Sequence, residues 1–350
     1  MENKPSESKV LITGGSGYLA SWVVSLFLER GSRVNTTIRH MDNKGKYTHL
    51  LEMEQQYPGK LRIFEADLTR EGSFDEAAAG CSVVVHTASP FKISGIRDPM
   101  KELIHPAVEG VRNVSGAALR AGTVRRMVLT SSVAAIFGDA VDLRQNERGI
   151  FTEEDWNTTS SVRHQPYSWS KTLAEREAWK IAGDHPGLEL NVINPGFVLG
   201  PTLTKRKDSV SISVIDQLVS GKFRAGVPKG MHAVVDVRDV AKAHLLAAFS
   251  PVSGMRFIAA PHHTTFVEMA AILKRNFPGL PVPSKAIPTW LFLLVGPLLG
   301  FPARFILRNI GYDLRLDNTR IREVLGMKFR PLEETLTDQV RQILSQKGNK

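Results

Sequence analysis

Lys9-Val10-Leu11-Ile12-Thr13-Gly14-Gly15-Ser16-Gly17-Tyr18-Leu19-Ala20 reads as a short apolar strand that runs through a glycine-rich turn straight into a helix. Glycines let the turn tighten and let backbone approach a ligand closely. The unpartnered N–H groups at the start of the helix, and its positive dipole end, favour an anion there. Strand, glycine turn and helix together are the hardware for a dinucleotide pyrophosphate. A glycine cluster alone is often just a turn, so the flanking sequence has to decide.

The flanks agree. Val10-Leu11-Ile12 is a continuous apolar run, as in a strand buried on both faces. Leu19 to Arg30 places Trp22, Val23, Leu26, Phe27 and Arg30 at helical spacing, and Gly31 ends it. Arg33 to Ile38 predicts a second strand. Beyond it, where an acidic residue would accept the ribose hydroxyls of NAD, stand Ile38-Arg39-His40, with Lys44 and Lys46 close behind. A cation in place of the carboxylate favours a ribose 2′-phosphate, hence NADP.

The chain has 350 residues, a net charge of +10 and 42% hydrophobic residues, the profile of a globular protein with length for a sizeable core. Cys81 is its one cysteine, which excludes a disulfide framework and a cysteine-based metal site and fits a reducing, cytoplasmic setting. No metal site is expected. The first nine residues are polar and no signal-peptide apolar core follows them, so no secretory signal is expected. Asn113-Val114-Ser115 and Asn157-Thr158-Thr159 are therefore read as chance matches to glycosylation acceptors. The basic balance suits an anionic cofactor. No dense Lys/Arg run with interleaved aromatics points to nucleic acid.

Strand and helix signals alternate through the first two-thirds. Further strands are expected at Leu61–Glu65, Val83–His86, Arg126–Thr130 and Leu190–Asn194, with helices at Phe74–Ala79, Glu109–Arg120 and Ser170–Ala182. This order builds an α/β fold, a Rossmann-type doubly wound parallel sheet whose ligands bind beyond the carboxyl ends of the strands. After Pro201 the signals become less regular, with strands near Val234–Val237 and Arg256–Ala259 and helices near Val240–Phe249, Val267–Phe277 and Leu332–Leu344. The expected division is a cofactor domain over 1–200, rejoined by 232–261, and a smaller α+β substrate lobe over 201–231 and 262–350. Residues 286–303 carry no charge. Pro288, Gly296, Pro297, Gly300 and Pro302 interrupt this stretch and argue against a continuous membrane span. Three readings stay open: a buried pocket cap, a peripheral membrane or dimer contact with Arg304 and Arg308 at its edge, or a span.

Tyr167-Ser168-Trp169-Ser170-Lys171 sets a phenol and an ammonium four apart, on one helix face. A lysine beside a tyrosine is expected to favour the phenolate and lower its pKa, making Tyr167 a usable proton donor and acceptor. Thr130-Ser131-Ser132 closes the fifth strand, where a hydroxyl can hydrogen-bond a carbonyl oxygen on which charge develops. Each signal is weak alone. Together they occur in the right order on the right elements.

These residues make the chain similar to the extended short-chain dehydrogenase/reductase superfamily (the NAD-dependent epimerase/dehydratase type). Within it, the chain most resembles the group of dihydroflavonol, cinnamoyl-CoA and aldehyde reductases. The resemblance runs from about Val10 to Pro201 and recurs more weakly at Val234–His244. Thr13, Gly14 and Gly17 match the family's TGxxGxxG, with Ala20 in place of the last glycine. Thr36-Thr37-Ile38-Arg39, Ala66-Asp67-Leu68, Gly72-Ser73-Phe74-Asp75-Glu76-Ala77, His86-Thr87-Ala88-Ser89-Pro90, Leu129-Thr130-Ser131-Ser132, Tyr167–Lys171 with Thr172-Leu173-Ala174-Glu175, and Asn194-Pro195-Gly196 with Gly200-Pro201 continue the match.

The resemblance implies a catalytic set of Ser132, Tyr167 and Lys171, with Ser131 the alternative serine and Asn113 a candidate fourth member. It implies that Tyr167 protonates the carbonyl oxygen and Lys171 holds the nicotinamide ribose. For NADP(H) it implies Thr13, Gly14, Ser16, Gly17, Tyr18 and Leu19 at the pyrophosphate, and Arg39 and Lys46 at the 2′-phosphate. Asp67 and Leu68 would meet the adenine. Thr87, Ala88 and Ser89 would line the channel, and Pro195, Gly196 and Val198 would lie near the nicotinamide. Plant dihydroflavonol reductases tend to place an Asn five residues after the serine. Phe137 stands there instead, which favours a less polar aldehyde or ketone than a flavonoid. Phe91, Phe137 and part of 286–303 are candidates for the pocket wall. The expected activity is NADPH-dependent carbonyl reduction of a small molecule by a monomer or homodimer. The alternatives are a nucleotide-sugar epimerase or dehydratase, a 3β-hydroxysteroid dehydrogenase, and a non-catalytic NADP-sensing protein.

Overall fold

The computed structural model describes residues 8–90, 95–204 and 210–348. Among these residues there are twelve strands: β1 (Lys9–Thr13), β2 (Arg33–Ile38), β3 (Leu61–Glu65), β4 (Val83–His86), β5 (Arg126–Thr130), β6 (Glu189–Pro195), β7 (Phe197–Leu199), β8 (Val227–Pro228), β9 (Met231–Asp236), β10 (Met255–Ala259), β11 (His262–Thr265) and β12 (Ala286–Ile287). The helices are α1 (Tyr18–Glu29), α2 (Thr48–Gln56), α3 (Asp75–Ala78), α4 (His105–Ala121), α5 (Pro166–Asp184), α6 (Val210–Val219), α7 (Val237–Phe249), α8 (Phe266–Asn276), α9 (Thr289–Val295), α10 (Ala303–Asn309), α11 (Thr319–Val324) and α12 (Leu332–Gly348).

Seven strands form one sheet in the order β10-β6-β5-β4-β1-β2-β3, and every pairing in it is parallel. The order reverses at β1. A crevice therefore opens beyond the carboxyl ends of β1 and β4, where ligands of such sheets bind. The unbroken apolar runs follow from burial on both faces. Val10 and Ile12 of β1 point into one core with Val83 and Val85, against Val23, Phe27 and Val240 of α1 and α7. Leu11 and Val84 point the other way, against Val111, Ala174 and Ala178 of α4 and α5. This is a Rossmann-type α/β fold.

The downstream strands are shared among three sheets. β10 does extend the main sheet, but β9 does not: it lies between β7 and β11 in a separate three-stranded sheet. Leu199 and Val234 of that sheet pack on Ile215, Met269, Leu336 and Val340 of α6, α8 and α12. Conversely Ile321, Leu325 and Met327, far downstream, join the core of the main sheet. An apolar β-strand carries no mark of which sheet it will join, because register and partner are long-range choices.

Candidate active site

The glycine turn is shaped by β2 beneath it. Gly14 has φ +74°, a left-handed conformation that L side chains resist. A Cβ on Gly14 would lie 3.1 Å from Ala88, and one on Gly15 would collide with the Thr36 hydroxyl. The Gly15 N–H donates to the Thr37 carbonyl at 2.8 Å and the Gly14 N–H to the Thr37 hydroxyl at 3.2 Å. Gly15, Thr36 and Thr37 thus brace the turn, yet Gly15 occupies a variable position of the motif and was not picked out for the site. Two threonines in an otherwise apolar strand were the available signal. Gly15→Ala is expected to destabilise the protein by about 1–3 kcal/mol through overpacking, read by urea denaturation. Wild-type stability would show that Thr36 yields freely.

Thr13 couples the ends of β1 and β4. Its hydroxyl accepts from the Thr87 and Ala88 N–H groups at 3.1 and 3.0 Å and pairs with His86 Nδ1 at 2.8 Å. The Thr87 hydroxyl returns a bond to the Thr13 carbonyl. Burial, with the Lys171 charge adding to it, pushes His86 down to about 3, so the imidazole is neutral. The Tyr18 hydroxyl donates to the Gly200 carbonyl at 2.7 Å, tying the first turn of α1 to the end of β7. Ala20 is buried where the family's last glycine would stand.

Arg39 and Lys46 are both exposed just past β2. Hydrogen bonds from Thr69, with Arg39 and Arg70 charges adding to them, hold the Asp67 carboxyl below the usual range despite some desolvation. Leu68 is buried, and a Cβ on Gly110 of α4 would clash with it at 2.7 Å. The Asn113 amide donates to the Leu68 carbonyl at 2.7 Å. Its side chain therefore holds the loop after β3 and is not placed as a fourth member of the serine, tyrosine and lysine set. Gly196 has no room for a side chain against the Ala233 carbonyl. Ser89 and Val198 are half-buried.

Ser132, Tyr167 and Lys171 come together where β5 meets α5. Ser132 caps a short helical turn over Val133–Ala135: its oxygen accepts from the Ala134 N–H at 3.1 Å, and its hydroxyl reaches the Pro195 carbonyl at 3.4 Å. It also hydrogen-bonds Tyr167. Ser131 points elsewhere, donating to buried Glu175 at 2.5 Å. Of the two serines, only Ser132 is therefore bonded to the phenol. Lys171 is buried and donates to the Thr130 carbonyl at 3.3 Å. Burial pushes its pKa down to about 8, opposed by the Glu175 charge. A small cavity separates Lys171, Thr130 and Ser131 from His86 and Ala88.

The expected lowering of the phenol pKa does not occur. Burial pushes Tyr167 well above its ordinary value, and the bond to Ser132 only partly opposes this. Desolvation of a phenolate dominates because Tyr167 is enclosed. Tyr167 therefore keeps its proton at neutral pH.

Two buried carboxylates that were not expected in the site support it. Glu175, one turn beyond Lys171, accepts from Ser131, from Asn194 at 2.8 Å and from Arg256 at 2.6 Å. Asp139 accepts from His164 at 2.8 Å, Gln165 at 2.5 Å, Asn309 at 2.7 Å and Arg308. Gln165, immediately before α5, has φ +54°, the one non-glycine positive φ among the described residues, and Asp139 secures that turn. Phe137 stacks on Phe151 with centroids 5.1 Å apart. Phe91 lies outside the described residues. Of the 286–303 stretch, Phe292 is buried but Trp290, Leu294, Leu298 and Leu299 face outward, so those four do not form a pocket wall. Among the described residues, no cluster of His, Cys, Asp or Glu could hold a metal ion.

Residues 10–257 match the NAD dependent epimerase/dehydratase family. The chain is 37% identical over 283 residues to anthocyanidin reductase ((2S)-flavan-3-ol-forming) of Vitis vinifera, covering 78% of this chain and 82% of that one. It is 31% identical over 346 residues to tetraketide alpha-pyrone reductase 1 of Arabidopsis thaliana, covering 97% of each. The yeast methylglyoxal/isovaleraldehyde reductase Gre2, complexed with NADPH, superposes with a TM-score of 0.78 at 28% identity. That match covers 98% of this chain and 100% of the other.

Proposed function

Since the chain belongs to the NAD dependent epimerase/dehydratase family, we propose that it is an NADPH-dependent reductase of an aldehyde or ketone. The observation that carries this reading is the Ser132 bond to a buried, protonated Tyr167 on the helix that bears Lys171. The relatives named above are reductases, and yeast Gre2 holds NADPH. The left-handed φ of Gly14 turns the chain sharply from β1 into the start of α1, which suits a pyrophosphate at that helix N-terminus. Arg39 and Lys46, exposed past β2, are the groups to hold a 2′-phosphate. The cofactor, when bound, supplies a hydride to the carbonyl carbon.

The protein's part is to handle the oxygen. The Ser132 hydroxyl and the Tyr167 phenol are bonded to each other, and together they would hold a carbonyl oxygen. Tyr167 Oη gives its proton to that oxygen as negative charge develops there. A phenol held above its usual pKa remains a far better acid than the alcohol it produces, so the transfer is downhill. The Lys171 ammonium, charged below about pH 8, stabilises the tyrosinate left behind and reaches towards the cofactor ribose.

The test is initial rates of NADPH and NADH oxidation across aliphatic, aromatic and steroid carbonyls. Turnover of aldehydes or ketones with NADPH is expected. Tightly co-purified NAD with no net turnover would instead favour an epimerase or dehydratase. Arg39→Ala is expected to weaken NADPH roughly 10–100-fold, the worth of a charge-assisted bond, with NADH little changed. Equal losses for both cofactors would remove Arg39 from the 2′-phosphate.

A further inference from the structure

Past β12 the chain carries an apolar surface that its own core does not use. Trp290 (65% exposed), Leu294 (67%), Leu298 (87%) and Leu299 (67%) face outward, with Phe301 and Leu307 also exposed. The inward side is complete without the first four. Phe292 and Ile306 are buried, the Phe292 and Phe301 rings meet at a tilt of 54° with centroids 5.4 Å apart, and Gly296 admits Ile306 where a Cβ would clash. A contiguous exposed patch of Trp, Leu and Phe marks a contact surface.

Charge says what kind. From residue 269 to residue 312 the sequence has no Asp or Glu, and from 217 to 235 it has none. β8 pairs with β12, and the Gly311 N–H donates to the Lys229 carbonyl at 2.9 Å, so these two segments adjoin. Exposed Lys222, Arg224, Lys229, Lys285 and Arg304 lie on them. The nearby carboxylates of Asp139 and Asp142 are bound by Arg308. The result is an apolar face whose two adjoining segments, 217–235 and 269–312, carry basic and no acidic residues. Two copies pairing through it about a twofold axis would set like charges against each other.

We infer that this face docks on an anionic phospholipid bilayer, with Trp290, Leu294, Leu298 and Leu299 at the headgroup–acyl boundary and the basic residues of the two segments among the headgroups. The contact is peripheral. α9 has seven residues, and no described helix is long and apolar enough to cross a membrane.

The experiment is co-sedimentation of the full chain with vesicles of phosphatidylcholine alone and of equimolar phosphatidylcholine and phosphatidylglycerol, at low and high salt. Binding is expected to the anionic vesicles and to weaken with salt. The triple variant Trp290→Ser/Leu294→Ser/Leu298→Ser should abolish it. Lys285→Ala/Arg304→Ala should weaken it roughly fivefold per charge removed. Circular dichroism and thermal melts establish that each variant is folded, and the charge variant answers the question if the triple one is not. Failure of the folded wild-type chain to bind anionic vesicles would overturn the proposal. So would sedimentation velocity showing a dimer that the triple variant turns into monomers, which would assign the face to a second copy. Neither readout depends on reductase activity.

Discussion

Tyr167→Phe is expected to lower kcat/KM for carbonyl reduction by roughly 10²–10⁴-fold, the usual worth of a positioned proton donor, while cofactor affinity is preserved. The ring fills the same space, so α5 and its packing are unchanged. What disappears is one proton and one hydrogen bond. Ser132 keeps its bonds to the Ala134 N–H and the Pro195 carbonyl, so folding stability should change by only about 1 kcal/mol. Steady-state rates with a carbonyl substrate, cofactor titration by fluorescence and a urea melt separate the three quantities. A Tyr167→Phe protein that reduces carbonyls at the wild-type rate would refute the assignment of Tyr167 as proton donor.

Glu175→Gln is expected to produce the largest loss of stability, about 3–5 kcal/mol, because it leaves a buried charge unpaired. The side chain of Glu175 is fully buried, and its carboxylate faces Arg256, itself almost completely buried. Arg256 also donates to the carbonyls of Glu153 and Asp155 at 2.8 and 2.6 Å and stacks over Trp156 at 4.0 Å, so it cannot swing out to water. Its Nη2 is already buried without a hydrogen-bond partner.

A second effect is chemical. Burial depresses the Lys171 pKa to about 8, and the Glu175 charge acts in the opposite direction. Removing that charge lets the pKa fall further. The ammonium then loses its proton at lower pH, and the alkaline fall in kcat/KM moves downward in pH. Urea denaturation and the pH–rate profile check the two effects separately. An unmoved alkaline limb in a destabilised protein would make Glu175 purely structural.

Much of the site was legible from the sequence because its backbone is set by local rules. Val10-Leu11-Ile12, the glycine turn and the helix from Tyr18 announce a strand–turn–helix unit within twelve residues. Arg39 is placed by its distance from that turn, and Tyr167 and Lys171 by helical spacing. Asp139 and Glu175 were harder to see, for a common reason. Asp139 gathers His164 and Gln165 from one distant place in the chain and Arg308 and Asn309 from another, and Glu175 gathers Ser131, Asn194 and Arg256. No local pattern announces such a meeting. Likewise, Ser131 and Ser132 are equivalent as neighbours in sequence and differ only once Glu175 captures one of them.

The pKa of Tyr167 and the apolar stretch over 286–303 make the same point about burial. A lysine four residues away predicts a lowered phenol, but desolvation depends on how much protein closes over the pair. An uncharged run of Trp, Leu and Phe reads alike whether it faces the core or water, and its short helices decide which residues turn outward. By itself, then, the sequence determined the Rossmann-type sheet, the glycine turn and the placing of Tyr167 and Lys171 on one helix face, because these follow from periodicity and from the conformational limits of glycine. Only the tertiary structure decided which serine meets Tyr167, which carboxylates support the site, which sheet β9 joins and which apolar side chains face outward. Those are properties of contacts between residues far apart in the chain, and burial exists only after the chain has closed on itself.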